Sequence, residues 1–328
     1  MSTSVSAPSH IKIFVYIIMS VRKPSPSPAS KFKMSTEPLF PKVSEYDAEK
    51  DFKRLVLCTP DIQRIQQIGT KASGYFFKHQ RIRARVASHP TYSEVARSNF
   101  YKDRIILRAK RLYKTEHPSL SELYGIVRFY HGIASQFRPT VAKYIYQRFN
   151  ATKVLDPSAG WGDRLVGALA TDTVVTYTGI DSNTELRDSY TKMIKKFNIY
   201  GQNIRMIYKP SESVNIKTLA KDYDCIFTSP PYFTKEKYRH MPVYTGYTHW
   251  FQTFLKPMIE KFSKVLRSGG YFCINIEDVD KIPIKSAMIQ VFKKNGFTQC
   301  PTLKYILHHR YVQKSYYRYE PIFVFRKK

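Results

Sequence analysis

The sequence lacks the features by which several classes of protein are recognised. Its four cysteines are far apart and form no Cys-x-x-Cys pair, which argues against both a zinc ribbon and a disulfide framework. They are Cys58, Cys225, Cys273 and Cys300. No apolar run reaches the roughly 18–20 residues that span a bilayer, and the apolar run 11–19 has no basic segment before it and no Ala-x-Ala site after it. We therefore expect an intracellular protein of a reducing compartment, without a membrane segment.

Acidic residues are scarce as well. There are 25 Asp and Glu against 54 Lys and Arg, which gives a formal net charge of +29. Such an excess favours a polyanionic partner, because each phosphate that is neutralised releases counterions; the lysine usage of an AT-rich genome is the alternative. The imbalance is largest in residues 71–114, where twelve basic side chains accompany only Glu94 and Asp103. This segment is predicted to contact phosphates, or else to be a solvated helix face.

The pattern of apolar residues divides the chain into three regions. Residues 1–44 include a stretch of alternating proline and serine and are predicted to be a flexible extension. Residues 45–136 carry apolar side chains at three-to-four spacing, which predicts a basic helical region. Residues 137–328 are predicted to form a separate domain that contains both strands and helices.

Short runs rich in β-branched residues alternate with helical segments after residue 152. The predicted strands are residues 154–155, 174–180, 204–208, 223–228, 270–276 and 322–325. Strands that alternate with helices form βαβ units, so the predicted fold class is α/β, with a mostly parallel, doubly wound, Rossmann-like sheet. Ligands of such sheets bind outside the carboxyl ends of the strands. The loops that follow the strands are therefore the candidate binding loops.

The loop after the first predicted strand is rich in small residues. It reads Asp-Pro-Ser-Ala-Gly-Trp-Gly, and its candidate binding residues are Asp156, Ser158, Ala159, Gly160 and Gly162. Glycines at this point allow a tight turn and a close approach of the backbone to a ligand. The loop has neither the Gly-x-Gly-x-x-Gly nor the Gly-Lys-Ser/Thr pattern, and no basic residue grips a phosphate in the glycine turn. S-adenosylmethionine is therefore favoured over a dinucleotide.

Asp181 stands at the end of the second predicted strand, 25 residues after Asp156. A carboxylate at that position can accept the ribose hydroxyls of an adenosyl group. The alternative is that Asp181 only caps the following helix.

The fourth predicted strand ends in Thr-Ser-Pro-Pro-Tyr. Pro230 and Pro231 have no N–H to donate, so they end the strand and fix the directions of the nearby carbonyl groups. The Ser229 hydroxyl and the Pro230 carbonyl form a pair of acceptors suited to the two hydrogens of an exocyclic amine on a nucleobase. Holding both hydrogens directs the nitrogen lone pair toward a methyl sulfonium, and Tyr232 is suited to stack on an extruded base. A buried turn without a chemical role is the alternative.

Together these motifs resemble the amino-methyltransferases that modify DNA, over roughly residues 137–325. The Ser-Pro-Pro-Tyr form is similar to that of the cytosine-N4 branch, whereas adenine-N6 enzymes more often carry Asp or Asn in place of the serine. The sequence is also similar to methyltransferases of phages and large DNA viruses. The resemblance implies a class I methyltransferase fold that uses S-adenosylmethionine. It also implies four catalytic residues: Ser229, Pro230, Pro231 and Tyr232.

Two further segments take part in this resemblance. Phe137, Arg138 and Pro139 resemble the motif that contacts the methionine end of the cofactor, and residues 319–325 resemble the closing segment of the domain. Ser211, in the turn after the third predicted strand, is assigned to the adenine from its position alone.

The motifs leave the target and the polymer open. No long insert offers a target-recognition domain, so contacts with nucleic acid are expected from the basic segment before residue 137 or from the basic, aromatic loops 233–247 and 308–318. Cys225 lies inside a strand, which disfavours cytosine-C5 chemistry. No metal is expected. The predicted activity is DNA methylation at cytosine N4 or, second, adenine N6; an RNA methyltransferase with the same chemistry and an inactive nucleic-acid-binding protein are the alternatives.

Overall fold

The first part of the described chain is helical, as the apolar periodicity predicts. The computed structural model describes residues 42–85, 89–131, 136–232, 242–279, 282–310 and 316–328, all within one compact unit. In these ranges the sheet is preceded by α1 (Glu45–Leu57), α2 (Thr70–Arg83), α3 (Tyr92–Arg97), α4 (Asn99–Tyr113), α5 (Leu120–His131) and α6 (Pro139–Arg148). None of the helices described combines the length and the apolar content needed to cross a bilayer. The predicted extension 1–44 lies outside the described residues up to residue 41.

Three of these helices begin at a capping box. The pair is Ser44 and Asp47 in α1, Thr91 and Glu94 in α3, and Ser119 and Glu122 in α5. The hydroxyl of the first residue accepts a hydrogen bond from the backbone N–H of the second, and the carboxylate of the second accepts one from the backbone N–H of the first. Each pair therefore satisfies donors that the first helical turn would leave unpaired.

One sheet of eight strands forms the centre of the fold. Its strands are β1 (Lys153–Asp156), β2 (Thr176–Asp181), β3 (Asn203–Tyr208), β4 (Tyr223–Thr228), β5 (Leu266–Asn275), β6 (Phe297–Gln299), β7 (Leu303–Arg310) and β8 (Tyr316–Lys327). The order across the sheet is β3-β2-β1-β4-β5-β8-β6, and β7 also pairs with β8. The pairs among β1 to β5 are parallel, and β8 is antiparallel to its three partners.

Helices are interleaved with these strands. They are α7 (Asp163–Leu169), α8 (Arg187–Phe197), α9 (Tyr247–Trp250), α10 (Lys256–Ser263) and α11 (Ile284–Lys294), with a π-helical turn at Phe251–Leu255 between α9 and α10. Hydrophobic clusters cover the sheet on its two faces. The predicted Rossmann-like α/β fold is confirmed.

The parallel register brings three of the predicted loops together. Asp156 pairs with Gly179, and Leu155 pairs with Ile226, so β1, β2 and β4 end at the same edge of the sheet. The loops that follow these three strands are therefore neighbours, although they are far apart in sequence.

The carboxyl-terminal hairpin is longer than the sequence predicts. The prediction gave only residues 322–325 as a strand, whereas β8 begins at Tyr316, and β7 was not predicted. The interpretation of 308–318 as a loop is therefore wrong at both ends, because residues 308–310 belong to β7 and residues 316–318 belong to β8. Residues 311–315 lie outside the described residues. Adjacent histidines and arginines hide the alternation of a strand here, and the pairing of β7 with β8 supplies the hydrogen bonds.

Helices α1 and α2 share their hydrophobic core with the sheet and its helices. Phe52 of α1 stacks on Phe197 of α8, with 4.3 Å between the ring centroids, and Phe77 of α2 meets Tyr190 edge-on at 4.8 Å. All four rings are buried in one cluster that also contains residues of α7. The predicted boundary at residue 137 thus separates segments that are packed on each other.

Candidate active site

A cavity of about 310 Å³ opens at the carboxyl edge of the sheet. Its wall is formed by the loops after β1, β2, β3 and β4, by the segment before α6, and by residues of β5, β7 and β8. The volume lies in the range of small-molecule sites. Ten of the predicted site residues line it: Phe137, Ser158, Ala159, Gly160, Asp181, Ser211, Ser229, Pro230, Pro231 and Tyr232. The other four are not part of its lining: Arg138, Pro139, Asp156 and Gly162.

The turn after β1 is held by its neighbours in a conformation that favours glycine. Gly160 and Gly162 have left-handed φ values of 60° and 74°. The N–H of Gly160 donates to a carboxylate oxygen of Asp181 at 2.8 Å, and the N–H of Ala159 donates to the carbonyl of Ile180 at 2.9 Å. The turn is thus attached to the end of β2, as a loop that surrounds a ligand between two strands requires.

Asp156 supports this turn from behind. The carboxylate is fully buried and accepts two hydrogen bonds from the Arg164 guanidinium, at 2.8 and 3.2 Å, and one from the Tyr177 hydroxyl at 2.7 Å. Arg164 also donates to the carbonyl of Ser158. Asp156 therefore acts on the shape of the loop, and its charge is neutralised by a buried partner.

Asp181 presents a carboxylate to the cavity. Its two oxygens accept hydrogen bonds from the backbone N–H groups of Gly160 and Asn183, both at 2.8 Å. Burial raises the pKa of Asp181 to about 6, even though these two amides favour the ionised form. The short helical turn that follows begins at Asn183, whose own side chain accepts from the N–H of Glu185 at 3.0 Å. The side chain that caps this turn is therefore that of Asn183. Asp181 lies at the end of β2, where its carboxylate lines the cavity.

The segment before α6 is fixed by Asp163. Its carboxylate accepts hydrogen bonds from the Ser73 hydroxyl, from the Gln136 amide at 3.3 Å and from the N–H of Phe137 at 3.2 Å. Burial raises the pKa of Asp163 to about 6 against the effect of these donors. Because Asp163 stands at the start of α7, it links the turn after β1 to the residues that place Phe137 in the cavity wall.

Arg138 and Pro139 serve the scaffold at this point. The Arg138 guanidinium is buried and donates to the carbonyls of Ile306 and Leu307 in β7. Pro139 is the first residue of α6, where its missing N–H leaves no bond unmade. Their placement ties α6 to β7 and gives neither side chain a place in the lining of the cavity.

The Ser211 hydroxyl donates its hydrogen bond to a neighbouring loop. The hydroxyl donates to the carbonyl of Pro157, so the turn after β3 is tied to the turn after β1. The next residue, Glu212, also lines the cavity, and its backbone carbonyl accepts a hydrogen bond from Lys261.

The Thr-Ser-Pro-Pro-Tyr segment leaves the end of β4 and crosses the cavity wall. The Ser229 hydroxyl donates to the side-chain oxygen of Asn275 at 3.2 Å. The Pro231 carbonyl accepts from the Trp250 indole at 3.1 Å, and the Tyr232 hydroxyl accepts from the N–H of Glu277 at 2.7 Å. Both ends of the segment are therefore anchored, and the Tyr232 ring is held at the cavity by its hydroxyl.

The charge of the cavity fits a cationic ligand better than a phosphate. Its carboxylates are Asp163, Asp181, Glu212 and Glu320. Among the described residues that line the cavity, the basic side chain is that of Arg164, which already forms an ion pair with Asp156. A dinucleotide would bring phosphates next to these carboxylates, whereas the sulfonium and ammonium groups of S-adenosylmethionine are attracted to them. The residues present thus fit S-adenosylmethionine.

Sequence reasoning missed several residues of the wall. They are Gln136, Trp161, Glu212, Asn275, Tyr305 and Glu320. Trp161 and Glu212 are next in sequence to predicted site residues, so their positions in the binding loops could have identified them as wall residues. Asn275 lies inside the predicted strand 270–276, and Glu320 lies inside the segment 319–325, but neither position alone reveals a side chain in the cavity. Tyr305 belongs to the unpredicted β7, and its hydroxyl donates to Glu320 at 2.5 Å.

A cationic face lies on α4, within the basic segment. Ile105 and Ala109 are buried, whereas Arg104, Arg111 and Leu107 are exposed on the other side of the helix. The Arg104 guanidinium lies over the ring of Phe100, 4.9 Å from its centroid. We call Phe100, Arg104, Leu107, Arg108 and Arg111 the α4 face. Its spacing of three and four residues places all of them on one side of the helix.

One family model matches the carboxyl-terminal part of the chain. Residues 223–328, about a third of the chain, match the N6_N4_Mtase family model, described as DNA methylase. No curated protein matches the chain.

Several solved structures are similar to this chain, among them the following three. TrmN from Thermus thermophilus is 14% identical, over 58% of this chain and 49% of that chain, with a TM-score of 0.41. The magnesium protoporphyrin IX methyltransferase of Synechocystis PCC 6803 with bound SAM is 12% identical, over 72% of this chain and 94% of that chain, with a TM-score of 0.40. The M. jannaschii tRNA m1G37 methyltransferase is 17% identical, over 58% of this chain and 49% of that chain, with a TM-score of 0.37. The chain spans about half the length of TrmN.

The sheet is mostly parallel and Rossmann-like, and the family match covers β4, the Ser229 segment that follows it and all the later residues.

Proposed function

We propose that this S-adenosylmethionine-dependent methyltransferase methylates an exocyclic amino nitrogen of a DNA base, cytosine N4 in preference to adenine N6. The observation that supports the proposal most directly is the location of Ser229 and Pro230. Both line the same cavity as Asp181, next to a tyrosine whose ring is fixed by its hydroxyl. A pair of acceptors beside a site for S-adenosylmethionine is suited to hold a planar amine.

In this proposal the loops after β1 and β2 bind the cofactor. Asp181 accepts the ribose hydroxyls, since each of its oxygens retains acceptor capacity beyond the one amide that it already bonds. The turn from Ser158 to Gly160, with Phe137, surrounds the methionine portion, and Glu212 lies toward the adenine. When bound, S-adenosylmethionine would supply an electrophilic methyl group to the amine nitrogen, with the sulfur leaving as a neutral thioether and one amine proton released to the solvent.

The chain's own contribution is to orient the base. The Ser229 hydroxyl oxygen and the Pro230 carbonyl accept the two amine hydrogens, and this withdraws the nitrogen lone pair from the ring. Tyr232 stacks on the base once it has left the helix. Trp250 and Glu277 keep the two ends of this segment in place through their hydrogen bonds. The site therefore works by orientation and polarisation, without a covalent intermediate.

We further propose that the α4 face contacts the phosphate backbone of the DNA. Three arginines, together with Phe100 and Leu107 on the same side of the helix, form a surface that attracts phosphates and also offers apolar contact. The predicted contacts of residues 233–241 and 311–315 lie outside the described residues.

Nucleoside mass spectrometry tests the proposed reaction. The protein is incubated with S-adenosylmethionine labelled in its methyl group and, in parallel, with unmethylated duplex DNA, single-stranded DNA and total RNA. Labelled N4-methylcytosine from DNA is the expected result, and labelled N6-methyladenine would keep the chemistry while changing the base.

Two outcomes would contradict the proposal. Label in RNA alone would assign the same chemistry to the other polymer. Calorimetry that detects no binding of S-adenosylmethionine would favour an inactive nucleic-acid-binding protein.

A further inference from the structure

Ser229 poses a problem that a carboxylate or an amide oxygen does not. A hydroxyl both donates and accepts, and its hydrogen rotates to suit its surroundings. If the Ser229 hydrogen were directed at the amine nitrogen, it would occupy the lone pair that must react. The proposed role needs Ser229 to accept, so another group must take its proton.

Asn275 is placed to take that proton. It is the last residue of β5, which pairs in parallel with β4, and it is 7% exposed. The distance from the Ser229 Oγ to the Asn275 Oδ1 is 3.2 Å, and the Asn275 Nδ2 lies 2.9 Å from the carbonyl oxygen of Pro321.

The Pro321 carbonyl settles which end of the Asn275 amide faces Ser229. A carbonyl oxygen only accepts, so the side of the amide that faces it must be the NH2 group. The amide oxygen then faces Ser229 and can only accept. Ser229 is left as the donor of that bond, and its lone pairs remain for the cavity.

We propose that Asn275 is a positioning residue that makes Ser229 an acceptor toward the amine of the target base. This inference rests on the proposed function, because it assigns Ser229 to an amine. The chain of bonds runs from the Pro321 carbonyl in β8 through Asn275 in β5 to Ser229 after β4. It thereby links the closing strand of the sheet to the reacting group.

A double-mutant cycle on methyl transfer tests the coupling. In single turnovers with labelled S-adenosylmethionine and DNA, Asn275→Ala is expected to lower the rate by about 10-fold or more, with the Kd for S-adenosylmethionine unchanged. In a Ser229→Ala background the same change is expected to have little further effect. Asn198→Ala is the matched control, since it removes a similar bond, 2.8 Å long, from an asparagine amide to the carbonyl of Gln202 outside the cavity lining.

Thermal unfolding supplies a readout that does not depend on catalysis. The Tm losses of Asn275→Ala and Ser229→Ala are expected to be less than additive, because the two variants break the same bond. Additive effects on both rate and Tm would overturn the inference. A wild-type protein that labels no DNA would refute the proposed function instead, and the Tm cycle would then decide whether Asn275 holds the Ser229 hydroxyl.

Discussion

The carboxylate of Asp181 contacts two backbone amides and faces a cavity of negative charge. Replacement by asparagine keeps the size of the side chain and removes one acceptor and the charge. We expect Asp181→Asn to weaken binding of S-adenosylmethionine by about 10- to 100-fold, because hydrogen bonds to a charged acceptor are worth about 1.5–3 kcal/mol. Isothermal calorimetry measures this. Asp222→Asn, at an exposed carboxylate before β4, is the control and is expected to bind normally.

The raised pKa of Asp181 also predicts a pH dependence. Burial raises this pKa to about 6, so the carboxylate is ionised above that pH and becomes protonated as the pH falls through it. Affinity for S-adenosylmethionine is therefore expected to be full above pH 7 and to fall by about tenfold for each pH unit below 6. Asp163 has a pKa of about 6 as well, so the control matters. If the profile of Asp181→Asn kept the same decline, the titration would belong to Asp163.

The Tyr232 ring and its hydroxyl have separable roles. The hydroxyl accepts from the N–H of Glu277, whereas the ring is proposed to stack on the base. Tyr232→Ala is expected to reduce methyl transfer by about 10- to 100-fold, as stacking on a base contributes about 1–3 kcal/mol. Binding of S-adenosylmethionine is expected to be unaffected. Tyr232→Phe retains the ring and should keep most of the activity; an equal loss in both variants would argue against stacking.

The turn from β1 to α7 is closely packed by side chains of two other helices. Gly162 is the N-cap of α7 and has a φ of 74°, and a Cβ there would lie 2.8 Å from the Met193 methyl and 2.9 Å from the Phe77 ring. Gly201 has a similar φ of 68° with open space around it. Both alanine variants bear the strain of left-handed backbone, but only Gly162→Ala also displaces buried side chains.

Denaturant unfolding of the two glycine variants separates these effects. We expect Gly162→Ala to lower the free energy of unfolding by about 3 kcal/mol and Gly201→Ala by about 1 kcal/mol. Equal losses would mean that the packing of α2 and α8 against the turn adds nothing to the backbone strain.

Charge is the property that belongs to the whole molecule. The net charge of +29 attracts DNA to many parts of the surface, so a specific contact must be distinguished from general attraction. Arg104→Glu combined with Arg111→Glu is expected to weaken DNA binding and to lower the slope of log affinity against log salt by about 2. Lys153→Glu combined with Lys221→Glu makes the same charge change at exposed positions beside the amino ends of β1 and β4. Fluorescence anisotropy at several salt concentrations compares them, and equal weakening by both pairs would assign the binding to net charge.

The sequence by itself determined the fold class and ten of the residues in the cavity wall. Apolar periodicity and β-branched runs are local signals, and the loops after parallel strands meet at one edge whatever their lengths. That is why Asp181 and Ser229, 48 positions apart, could both be assigned to one site before the structure was described.

Only the tertiary structure decided which side chains face the cavity and which hold it together. Arg138 reaches carbonyls 168 and 169 residues further along the chain, and Asn275 joins Ser229 to Pro321 across three strands. Hydrogen bonds of this kind depend on the register and pairing of distant strands, which no local spacing records. The strands could therefore be predicted from their own residues. The acceptor of the Ser229 hydroxyl proton, Asn275, could be identified only from the positions of β4, β5 and β8 in the sheet.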